Sequence, residues 1–146
     1  MKWGNEILAS DEYIRNLLSS LANAQDYECY IFSYERGHHQ LTLAVRDPNS
    51  DSGEPSFYLH FEPTYYFEGP THWAGADFRL ATKNEWEEVL SKLAFRLSDD
   101  LKDEFVKRHF LFVLEKPNFH IRILSALFHK VTESLYVSVS LATSHS

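Results

Sequence analysis

The chain has a single cysteine in 146 residues, Cys29, which excludes an internal disulfide and a cysteine-only zinc site. Cys29 lies in the apolar run YECYIF, so it reads as a small buried residue rather than a nucleophile. Glycine is equally sparse. Five glycines spread singly cannot line consecutive backbone N–H groups around a phosphate, and the sequence has no phosphate-binding loop, dinucleotide turn, nucleophile elbow or HExxH helix. No apolar run approaches the ~18 residues of a membrane-spanning helix, and the opening MKWGNEILASDEY has no signal-peptide core. A soluble, cytoplasmic protein is expected. Basic residues are the minority, 14 against 21 acidic, for a net charge of −7. Such a charge repels phosphate backbones and anionic lipid, so neither nucleic acid nor membrane is an expected partner. It speeds encounter with a basic protein, although solubility alone also accounts for it. Lys102, Lys107 and Arg108 come nearest to a basic patch, and Asp99, Asp100, Asp103 and Glu104 surround them. That pattern is a solvated helix face.

What is present suits one packed domain. Hydrophobic residues make up 44% and aromatics 15%, enough to fill a core, and there is no repeat, low-complexity tract or linker. Ile14, Leu17, Leu18 and Leu21 fall at helical spacing within 11–25. Strands follow at 27–34 and 40–46 around a Glu35-Arg36-Gly37-His38 turn, and a polar loop covers 47–55. Residues 56–62 alternate Phe57, Leu59 and Phe61 against Tyr58, His60 and Glu62. Pro63 then marks an edge, a bulge or a bend, with extended chain continuing over 64–68 and a short strand at 77–81. Thr82-Lys83-Asn84-Glu85 matches a capping box that opens a helix through Leu97. A second helix begins near Ser98-Asp99-Asp100, and strands are predicted at 109–115, 119–124 and 134–141, with 125–131 open between helix and strand. The expected fold is α+β, a single domain over 1–146. Its mainly antiparallel sheet has about six or seven strands, with two or three helices on one face.

The segment FYLHFEPTYYFEGPTHWAGADFRLAT, residues 57–82, is the densest in aromatics. Interfaces favour such rings inside a polar or charged rim. The candidate partner surface is therefore Tyr58, Tyr65, Tyr66 and Trp73 with Glu62, Glu68, His72 and Asp77, and Tyr30 or Tyr34 can extend it. Alternation requires part of this set to be core, and Trp73 can equally plug the end of the sheet. A metal site would draw on His60, Glu62, His72 and Asp77, but their spacing has no metal-ligand signature. An enzyme of hydrolase or isomerase type would need His60, His72 and Asp77 to converge under a loop at 69–76. No catalytic residue, metal or cofactor is expected.

In size, acidity and lack of catalytic motifs, together with the segment YYFEGPTHWAGADF, the chain resembles the small immunity proteins of bacterial toxin systems, such as those of contact-dependent inhibition. The resemblance implies a non-enzymatic α+β protein that binds and occludes a toxin domain with a basic surface. The alternatives are the small enzyme above and a homodimeric scaffold that pairs through an edge strand near Pro63 or at 134–141. The protein itself is expected to be a monomer or a homodimer.

Overall fold

The computed structural model describes residues 9–93 and 96–132, and the strand expected at 134–141 lies outside them. In chain order the elements are α1 (Ala9–Ser20), β1 (Glu28–Glu35), β2 (Gln40–Arg46), β3 (Phe57–Glu68), β4 (His72–Ala74), β5 (Arg79–Leu80), α2 (Lys83–Lys92), α3 (Asp99–Arg108), β6 (Phe110–Lys116) and β7 (Phe119–Thr132). The seven strands form one sheet in the order β4-β1-β2-β3-β7-β6-β5. Every pairing is antiparallel. The α+β class and the strand number are as expected.

The placement of the helices differs from expectation. Phe110, Phe112 and Leu114 of β6, with Ile121 and Ile123 of β7, join Ile14 and Leu21 in one cluster. The alternate residues Leu111, Val113 and Leu124 join Trp86 and Val89 of α2 and Val106 of α3 in a second cluster. Side chains alternate across a strand, so α1 covers one face of the sheet while α2 and α3 cover the other. A sheet that is apolar on both sides at β6–β7 requires this division.

Local signals account for most boundaries. The capping box at α2 forms: the Glu85 N–H donates to Thr82 Oγ1 at 3.2 Å, and the Thr82 N–H donates to Glu85 Oε1 at 2.8 Å. The helix stops at Lys92, short of the expected Leu97, because Leu93 turns to extended backbone. The ambiguous stretch after Leu124 is strand. β3 supplies β7 with partners from Glu68↔Arg122 to Phe57↔Thr132, and that ladder decides between the alternatives.

Pro63 sits inside β3 at the point where its β2 neighbour has ended, since the last β2–β3 pair is Leu41↔Phe61. On the β7 side the register passes from Glu62↔Leu127 to Thr64↔Ser125, so Pro63, which has no N–H to give, falls between ladder pairs. One residue on, the β3–β7 register shifts between Thr64 and Tyr66, leaving Tyr65 without a cross-strand partner. The Thr64 N–H turns instead to the His39 carbonyl at the tip of the β1–β2 hairpin, 2.8 Å away.

Candidate functional site

The structure separates the eight candidate surface residues. Trp73 and Tyr58 are core, at 4% and 6% exposure, which corrects their assignment as surface anchors. Trp73 pairs with Cys29 across β4–β1 and so points into the α1 cluster. Its indole N–H donates to the Gly75 carbonyl at 2.8 Å, and the Cys29 thiol donates to the same oxygen at 3.1 Å. Burial pushes the Cys29 pKa up to about 12, leaving the thiol unreactive at neutral pH. Gly75 holds this turn at φ +128, where a Cβ would lie 2.7 Å from Lys116 Cε. Tyr58 is capped by Phe32, ring to ring at 5.1 Å and edge-on.

His60, His72 and Asp77 do not converge. His72 lies on edge strand β4 opposite Tyr30, exposed, with Nε2 3.5 Å from Glu28. His60 lies on β3, three strand steps away, roughly 14 Å at ~4.8 Å per step. Its Nδ1 accepts from the Gln40 amide at 2.7 Å, and burial, together with His129 nearby, lowers its pKa. Asp77 pairs with Lys116 at 3.1 Å. Among the described residues, no group of three or more His, Cys, Asp or Glu is placed to hold a metal ion.

Tyr66 and Glu68 do meet, in a polar network beneath α2. The Tyr66 hydroxyl donates to Glu68 Oε1, and His120 Nε2 bonds Glu68 Oε2. Lys92 of α2 reaches Glu68 at 3.5 Å, and Arg122 donates to Glu88 of α2 at 2.7 Å. The Tyr66 hydrogen bond, then those of His120 and Lys92, hold Glu68 down at about 2, while burial and Glu68 push Tyr66 up to about 12. A proton-transfer group works best with its pKa near the working pH. This pair stays ionised and protonated, respectively, across the neutral range, so it acts as a clamp between α2 and the sheet.

The remaining candidates, Tyr65 and Glu62, belong to a different feature. The bulge leaves Tyr65 42% exposed, edge-on to Phe105 of α3 at 5.7 Å and to His109 at 5.0 Å. His109 stacks on Phe105 at 4.0 Å and donates from Nδ1 to the Phe105 carbonyl at 2.7 Å. One turn before Phe105, Leu101 is 56% exposed; Leu127, opposite Glu62 on β7, is 50% exposed. Tyr34, at the hairpin tip, pairs with Leu41 of the α1-side cluster and its hydroxyl bonds His39 at 3.0 Å, so it lies on the other side of the sheet. Exposed Asp100, Asp103 and Glu104 occupy the neighbouring surface of α3. Tyr65, Leu101 and Leu127 are thus exposed side chains on the α3 side of the sheet, and the surrounding α3 surface carries these carboxylates together with exposed Lys107 and Arg108.

Sequence reasoning did not find Leu101 or Leu127 as surface residues. Leu101 shares its helix with buried Val106, and an apolar residue on a short helix reads as core. Leu127 falls in the stretch without clear periodicity. No helix among the described residues is long and apolar enough to cross a membrane. No family model, curated protein or solved structure matches the chain.

Proposed function

We propose that the protein is a non-enzymatic binding module, an immunity-type inhibitor that occludes a bacterial toxin domain with a basic surface. The observation that carries this reading is the exposed, bulge-presented Tyr65, with exposed Leu101 and Leu127 on the same side of the sheet and a charged surface including Asp100, Asp103 and Glu104 on α3. An apolar centre that can be desolvated inside a charged rim is the usual composition of a protein interface. The net charge of −7 supplies steering toward a cationic cleft. The locked pKa values of Glu68 and Tyr66 and the separation of His60, His72 and Asp77 favour docking over catalysis.

The test is titration of the purified protein with the product of the adjacent gene, and co-expression of the two. The expected result is a one-to-one complex whose affinity falls as salt rises, weakened by about 2 kcal/mol in Tyr65→Ala. No complex, and no relief of toxicity on co-expression, would sink the reading.

A further inference from the structure

On the other face of the sheet, α1 and the chain at the edge strand β5 border a shallow, solvent-open hollow of about 390 Å³. Arg15 and Ser19 reach it from consecutive turns of α1, and Leu18, Phe78 and Leu80 give it apolar walls. The second arginine at its rim, Arg79, is already neutralised: it grips both oxygens of Glu85 at 2.8 and 2.9 Å and approaches Glu115 at 3.4 Å. Arg15 has no such pair among the described residues: its Nε and Nη2 are sealed from solvent and have no hydrogen-bond partner there. These two nitrogens form the side-on edge of a guanidinium, the fork of parallel N–H donors that matches a carboxylate. Two orphaned donors sealed from water are costly, so the free protein holds this half-buried Arg15 in a conformation that an anion relieves.

We infer that this hollow binds a small carboxylate with an apolar body, which draws the Arg15 fork outward as its counter-ion while Leu18, Phe78 and Leu80 cover the hydrocarbon. Ser19, one turn beyond Arg15, offers a hydroxyl to the same oxygens. The site is independent of the docking reading, since it uses the opposite face of the sheet and none of Tyr65, Leu101 and Leu127.

The probe is 3-phenylpropionate, with 3-phenylpropionamide and inorganic phosphate as comparisons, followed through the Arg15 Nε–H resonance in ¹⁵N-edited NMR. The expected result is a saturable shift with the carboxylate, tenfold or more weaker with either comparison and lost in Arg15→Gln. Arg15→Met should raise the melting temperature of the ligand-free protein, because it removes two sealed, unpaired donors. Equal binding of the amide or of phosphate, or binding retained in Arg15→Gln, overturns the proposal. So does a lower melting temperature in Arg15→Met.

Discussion

Trp73 and Tyr65 stand eight residues apart in one aromatic stretch, and the fold treats them in opposite ways. Around Trp73, β4 pairs with β1, Cys29 sits opposite, and the positive-φ turn at Gly75 brings a carbonyl back to satisfy the indole N–H. Around Tyr65 the ladder slips, and the extra residue turns toward the margin of α3, where rings touch only its edge. A large ring with a polar atom can be buried when the backbone offers that atom a partner. Where the register is broken, the same kind of ring is left to solvent and becomes available to another molecule.

The sharpest way to break this contrast is Trp73→Ala, which should cost about 3–5 kcal/mol in urea unfolding through the cavity it leaves. A loss under about 1 kcal/mol would mean that Trp73 is not the plug described above. Next, Gly75→Ala should cost about 1–3 kcal/mol, since the φ of +128 disfavours any L side chain. A neutral substitution there would remove the turn from the account of Trp73 burial.

Acid should act on the other region first. Glu68 and Glu85 have folded pKa values of about 2 against an ordinary 4.5, so each contributes stability fully above the ordinary value. That stability is lost as pH falls from about 4.5 toward about 2. Tyr66, raised to about 12, adds stability that is lost only as pH climbs from 10 through that value. The urea midpoint of Glu68→Gln should therefore fall less steeply between pH 5 and pH 2 than that of the parent. Identical slopes would mean that the α2 clamp does not form in solution. Thr82→Ala should cost about 1 kcal/mol by removing one half of the capping box. Tyr65→Ala should have the smallest effect on stability, within about 1 kcal/mol, although it weakens partner binding most. Melting curves of Trp73→Ala and Tyr65→Ala run side by side test the whole contrast.

The parts of the fold legible in the sequence are those where a local pattern has one satisfactory outcome. Thr82 and Glu85 meet because a four-residue capping signature needs nothing from the rest of the chain. The alternation of Phe57, Leu59 and Phe61 gives β3 its buried side for the same reason. Candidate site residues fared less evenly: Tyr65 is exposed, Tyr66 and Glu68 are joined, and Tyr58 and Trp73 are inside. Tyr58 alternates to the side opposite Phe57 and Leu59, yet Phe32 from another strand covers it, a contact across 26 residues that no window of sequence contains.

Composition and local patterning alone settled that the chain builds an α+β domain around a mainly antiparallel sheet, because side-chain period and capping chemistry act over a few residues. Only the tertiary structure decided that helices cover both faces, that β7 runs on to Thr132, and that Tyr65 rather than Trp73 meets solvent. Each of those outcomes depends on which strand lies beside which and where a register slips, and such pairings join residues too far apart in the chain for their local spacing to specify.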